Sequence, residues 1–203
     1  MKRGPVHLQQ ETQYDCGPTC ARMVLADRRK IVKIDSDRET GTFITQIGLE
    51  LLKHTLVTYV FYHPKVREAH DREMCDAMQT VDRIASNSRD DILFKEYLHR
   101  FVAAGGTAIV KIPTIRLIED ALLSNRRVIT LVTSPMDGDL RSPAGSDMDS
   151  HFVVVARSVD DRFEIYDPAH GEPYMISKER FLYNMYTNAQ YQEIGGGTML
   201  IVG

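Results

Sequence analysis

The stretch Asp15-Cys16-Gly17-Pro18-Thr19-Cys20-Ala21-Arg22-Met23-Val24-Leu25-Ala26 decides how the rest of the chain is read. Residues 18–26 predict a short helix, with Cys20, Met23 and Val24 at i, i+3 and i+4 on its buried face. Pro18 suits the first turn, since its missing N–H would be unpaired there in any case. Cys16 and Gly17 then fall just before, or at, the helix N-terminus. Unpaired amides and the positive end of the helix dipole stabilise a thiolate at such a place and lower its pKa. Gly17, having no Cβ, is expected to leave room for a substrate backbone. Read alone, Cys16 fits a small buried hydrophobe equally well. A base elsewhere in the chain would make it a nucleophile.

His151 offers that base. It opens the apolar strand His151-Phe152-Val153-Val154-Val155-Ala156, where a rigid element can aim an imidazole. Sixteen residues later Asp167 closes the next expected strand, just ahead of Pro168. A turn around Asp160-Asp161 lies near the middle of that interval, so the two ends become candidate cross-strand neighbours. Asp167 would then accept a hydrogen bond from one nitrogen of His151, and the other would face Cys16. Gln10, six residues before Cys16, supplies a side-chain amide that can join a backbone N–H around a developing oxyanion. Singly, the three have plainer readings: a strand-end histidine, a turn aspartate before proline and a surface glutamine.

Composition sets the frame for this chemistry. A chain of 203 residues, 43% hydrophobic, suits one domain over 1–203 and can bury a sizeable core. With 28 acidic against 25 basic side chains, the net charge of -3 gives no support to nucleic-acid binding. The strictly apolar runs, such as residues 152–156, fall far short of the roughly 20 residues of a membrane span. Met1-Lys2-Arg3 is followed by Gly-Pro and polar residues, not by a secretory apolar stretch. Three cysteines argue against a disulfide scaffold. The expectation is a cytoplasmic protein with reduced thiols and no membrane span.

Periodicity predicts a second helix over 44–54, with Ile44, Ile47 and Leu51 as its stripe, and a strand over 56–62. Residues 65–103 are charged and helical in pattern, with a break at 86–91, and 65–100 is taken as an insertion with a solvated face. Strands follow at 107–112, 127–133, 151–157, 162–167 and 198–202, with helices after Pro113-Thr114 and from Ser177 to Tyr186. The expected class is α+β: N-terminal helices packed on an antiparallel sheet.

The four site positions together resemble a known pattern. Gln10-Glu11-Thr12-Gln13-Tyr14-Asp15-Cys16-Gly17-Pro18-Thr19-Cys20 resembles the opening motif of papain-like cysteine peptidases of the bacteriocin-processing (double-glycine leader) group. His151-Phe152-Val153-Val154-Val155 and Asp167-Pro168-Ala169-His170-Gly171 resemble that group's later motifs, in the same order and spacing. The resemblance implies a papain-like fold and a thiol protease. It makes Gln10 the oxyanion residue, Cys16 the nucleophile, His151 the general base and Asp167 its orienter, with no cofactor. A looser similarity, carried by Cys20-Ala21-Arg22-Met23-Val24-Leu25, is to the guanylyl-cyclase-domain-containing family, a branch of the same fold. The cyclase activity in that name would need paired carboxylates and a triphosphate-binding element, which the residues do not supply. Peptidase domains of the bacteriocin-processing group commonly precede transporter segments. These 203 residues contain none, so a leader-peptide substrate is not implied.

Other signals are weaker. Cys16 and Cys20 form Cys-x3-Cys without a second ligand pair, so zinc is not expected, and Cys20 reads as core or as a reversible disulfide partner. Cys75 has no evident base near it. Gly195-Gly196-Gly197 lacks the Lys-Ser/Thr of a phosphate loop and reads as a turn. The loop 134–150 carries Asp137, Asp139, Asp147 and Asp149 against Arg141; it is either plain solvent loop or a field that favours a cationic peptide or protein substrate. The reaction class is hydrolysis by a Cys-His-Asp triad. An acyltransferase or transpeptidase using the same acyl-enzyme, and a non-catalytic peptide-binding pseudo-peptidase, are the alternatives.

Overall fold

The computed structural model describes residues 5–12, 14–25, 34, 42–62, 77–82, 89–133, 150–191 and 197–203. Among these, β1 (Val57–Phe61), β2 (Thr107–Val110), β3 (Arg127–Thr133), β4 (Ser150–Val159), β5 (Arg162–Tyr166), β6 (Tyr174–Ser177) and β7 (Thr198–Val202) form one sheet. Their spatial order is β2-β1-β7-β3-β4-β5-β6. Every neighbouring pair is antiparallel except β1 with β2. The helices are α1 (Cys16–Leu25), α2 (Ile44–Leu52), α3 (Ala77–Asp82), α4 (Arg89–Ala103), α5 (Ile115–Leu123) and α6 (Lys178–Tyr191). The arrangement is mixed α and β.

β7 and nearly all of β3 are buried at successive positions, as is β4 from His151 to Ala156. Such strands read as near-continuous apolar runs because helices cover both faces of the sheet. On one face α1, α2 and α4 pack with Ile129, Leu131, Phe152 and Val154. On the other, α5 and α6 pack with Val128, Val132, Val153 and Val155. The expected N-terminal helices thus supply one layer, and the second layer comes from the later half of the chain. The sheet is also not wholly antiparallel. A parallel pair needs a long crossover, and α3 and α4 lie in the connection between β1 and β2. Within it, α4 buries Phe94, Leu98 and Phe101 at i, i+4 and i+7, while Glu96, His99 and Arg100 are exposed.

β6 has no counterpart in the sequence expectations. Four residues between Pro173 and a helix are too few to show a period, and pairing with β5 creates the strand. α6 runs beyond the expected end at Tyr186, and Ser177 Oγ accepts from the Arg180 N–H at 3.3 Å, as a cap does. The turn at Asp160-Asp161 is present, with Asp160 at φ 50, a left-handed conformation that aspartate tolerates. Cys75, most of the acidic loop and Gly195-Gly196 lie outside the described residues.

The first core cluster is organised around Phe101. Its ring meets Tyr59 edge-on at 6.4 Å, and a Cβ at Gly48 or Gly106 would come within 2.8 or 2.4 Å of it. Phe101→Ala is therefore expected to lower stability by about 3–5 kcal/mol. Urea unfolding checks this: the midpoint should fall while the slope stays unchanged.

Candidate active site

On one edge β4 pairs with β3 from Ser150 to Val155. On the other, the β5 ladder stops at Tyr166, opposite Val154. The helix α1 takes up the open edge. The Phe152 N–H donates to the Cys16 sulfur, and the Phe152 carbonyl accepts the Cys20 S–H at 3.3 Å. In an antiparallel strand the N–H and C=O of one residue point the same way. One position of β4 therefore holds two cysteines one helical turn apart. Cys16 is the first residue of α1, as the sequence predicts. Gly17 has a different role from the expected one. It is buried, and a Cβ there would meet Ile47 Cδ1 at 2.9 Å and Phe152 Cδ2 at 3.3 Å. The missing side chain lets α1 close on the core and leaves no space there for substrate.

His151 and Asp167 reach each other through a β-bulge. Counted from the turn, Val159 faces Arg162 and Arg157 faces Glu164. An unbroken ladder would then set Asp167 against Val154, on the face opposite to His151. The register shifts between Val155 and Arg157, so Ala156 is the extra residue, and Val155 faces Ile165. Continued by two residues, this register sets Asp167 against Val153, on the face of His151 and diagonal to it. Asp167 lies one residue beyond the strand rather than inside it. Its Oδ1 accepts from His151 Nε2 at 2.7 Å and from the Ala169 N–H at 2.8 Å. Its Oδ2 accepts from the Tyr174 hydroxyl at 3.0 Å. With Nε2 committed to Asp167, Nδ1 is the nitrogen left for the hydrogen bond between His151 and Cys16.

Burial and pairing oppose each other here, and pairing prevails. His151 is 7% exposed and Asp167 3% exposed. Burial disfavours the imidazolium, yet hydrogen bonds and charges from Asp167 and Cys16 carry the His151 pKa up from 6.5 to about 10. Burial also disfavours the Cys16 thiolate, but the bond and charge of His151, with the Phe152 and Gly17 amides, bring its pKa below the usual 9.0. Burial raises the Asp167 pKa, and His151, the Ala169 N–H and His170 more than reverse this. Cys20, with burial and the neighbouring negative charges of Cys16 and Asp167 against it, is raised well above the usual thiol value. The pKa values of the two cysteines of one helix are thus shifted in opposite directions.

Gln10 arrives by another route. Its backbone N–H donates to the Pro168 carbonyl at 2.9 Å, next to Asp167, and its side-chain oxygen is buried without a hydrogen-bond partner among the described residues. His7 Nε2 lies 3.1 Å from the Asp167 carbonyl oxygen, so the segment before Cys16 is tied to the loop after β5. Cys16, His151 and Asp167 form one chain of hydrogen bonds, and Gln10 joins the loop through its backbone. Sequence reasoning missed Tyr174, His7 and the Phe152 peptide. Only the notable position of Tyr174, seven residues after Asp167 at the end of a Gly/Pro loop, was available as a signal. Among the described residues, no group of three or more His, Cys, Asp or Glu is placed to hold a metal ion, and no helix is long and apolar enough to cross a membrane.

No family model matches the chain, and no curated protein matches it. Among solved structures, it is similar to one described as a "putative C39-like peptidase from Bacillus anthracis". The TM-score is 0.47 at 13% identity, over 98% of this chain and 94% of that one.

The signs of the pKa shifts fix a pH window. The His151 contribution to stability is complete below its ordinary 6.5 and is lost as pH rises through about 10. The Cys16 contribution is present above 9.0 and is lost as pH falls through its lowered value. Iodoacetamide near neutral pH is expected to label Cys16 and spare Cys20, with His151→Ala moving the onset of labelling to higher pH. Peptide mapping by mass spectrometry reads both. Gly17→Ala should cost about 1–3 kcal/mol in thermal or urea unfolding.

Proposed function

We propose that the chain is a thiol-dependent hydrolase with papain-like chemistry, a peptidase or amidase. The observation that carries this reading is the Cys16–His151–Asp167 hydrogen-bond chain, assembled at a helix N-terminus from three distant segments. In the proposed reaction His151 holds Cys16 as a thiolate in an ion pair. The sulfur attacks the amide carbon, and the Cys16 backbone N–H with the Gln10 amide steadies the oxyanion. Collapse expels the amine, which takes its proton from His151. Neutral His151 then deprotonates a water that attacks the thioester, releasing the acid and restoring the thiolate. Asp167 keeps the imidazole oriented throughout. No step requires a metal or an organic cofactor.

For substrate, we favour a peptide or protein with positive charge near the scissile bond. Asp137, Asp139, Asp147 and Asp149 crowd the sequence that leads into His151. Nucleic acid is not a partner in this reading, given the net charge of -3.

The test is mass spectrometry of a host-cell peptide extract after incubation with wild type or Cys16→Ala. Products are expected with wild type alone, and products formed equally by Cys16→Ala would sink the reading. With a substrate in hand, Gln10→Ala should lower kcat by about 10²–10³, the usual effect of losing one oxyanion donor.

A further inference from the structure

The carboxylate of Asp167 is gripped on both oxygens. His151 Nε2 and the Ala169 N–H share Oδ1, at 2.7 and 2.8 Å. Two bonds to Oδ1 resist rotation about the Cβ–Cγ axis from one side of the carboxylate only. The hydroxyl of Tyr174, 3.0 Å from Oδ2, adds the restraint on the other side. Tyr174 is set by the sheet itself, since it faces Ile165 in the β5–β6 register and packs against the cluster that contains Ile165. Its side chain therefore shares the face of Ile165 and lies diagonal to Asp167. His151, Asp167 and Tyr174 form a line across β4, the end of β5 and β6.

We propose that Tyr174 is a positioning residue for the Cys16–His151 pair, acting through Asp167. This rests on the thiol–imidazole reading of the site. The other groups around Asp167 do different work. His170 Nε2 is 3.9 Å from Oδ2, beyond hydrogen-bond reach, with its ring 5.0 Å from that of Tyr174. His7 holds the Asp167 carbonyl and so the main chain, not the carboxylate. Cys16 contacts His151, and Cys20 bonds to the Phe152 carbonyl. The phenol is the donor on Oδ2 that, with the two bonds on Oδ1, holds the plane of the carboxylate, and that plane aims Oδ1 at His151. A loosened Asp167 would let the imidazole tilt away from the Cys16 sulfur without breaking any covalent or core contact.

The test uses the full chain. The proton in the 2.7 Å bond between His151 Nε2 and Asp167 is expected as a far-downfield NMR resonance, coupled to the ring nitrogen and missing from His151→Ala. In Tyr174→Phe that resonance should shift and broaden, and alkylation of Cys16 near neutral pH should slow about three- to tenfold, the size of one hydrogen bond. A resonance and a rate equal to wild type would overturn the proposal. If Tyr174→Phe fails to fold, 3-fluorotyrosine placed at 174 keeps the shape and changes the phenol acidity. The resonance must then move, and an unmoved one also overturns it. The hydrolase reading fails separately, if wild-type Cys16 alkylates no faster than Cys16 in His151→Ala.

Discussion

At Phe152 the sheet offers an N–H and a C=O to a helix instead of to another strand. The β5 ladder ends at Tyr166, so this stretch of β4 would otherwise carry unpaired backbone groups inside the protein. Each such group costs about 1–3 kcal/mol when buried and unsatisfied. Cys16 and Cys20 satisfy them, one sulfur accepting and the other donating. This pairing joins α1 to β4, and Gly17 permits the approach by presenting no Cβ to Ile47 and Phe152. The core demand for a satisfied backbone and the chemical demand for a thiol beside His151 are met by the same contact.

Charge at the site depends on mutual support. A lone buried thiolate, imidazolium or carboxylate would neutralise itself by changing its pKa. Here each is paired: Cys16 with His151, His151 with Asp167, and Asp167 with the Ala169 amide and the Tyr174 hydroxyl. The shifts accordingly run against burial at all three positions. Cys20 has the same burial without a cationic partner and moves the other way. The contrast within one helix follows from the partners, since Cys16 has His151 beside it and Cys20 has only burial and negative charge.

Much of the site was legible because its residues sit at element ends. A cysteine ahead of Gly-Pro marks a helix start, a histidine opening a valine run marks a strand start, and an aspartate before proline marks a strand end. The strands at 127–133 and 198–202 were legible because coverage on both faces leaves near-continuous apolar runs, interrupted in β3 by Thr130. β6 was not, since four residues carry no period. The role of Gly17 was misread because a glycine says that something comes close, not what does. Nor could a one-dimensional pattern reveal that helices from the later half of the chain close the second face of the sheet.

The chain by itself determined which chemical groups are available, in what order, and that Cys16 stands at a helix N-terminus. Local propensity and residue type are enough for that. Whether His151 and Asp167 meet was decided only by the tertiary structure. Side chains alternate across a sheet with a period of two, so a single residue changes the face. The extra residue at Ala156 brings Asp167 to the face of His151, and no composition or spacing announces such a bulge. The same alternation, read across β5 and β6, brings Tyr174 to the second oxygen of Asp167.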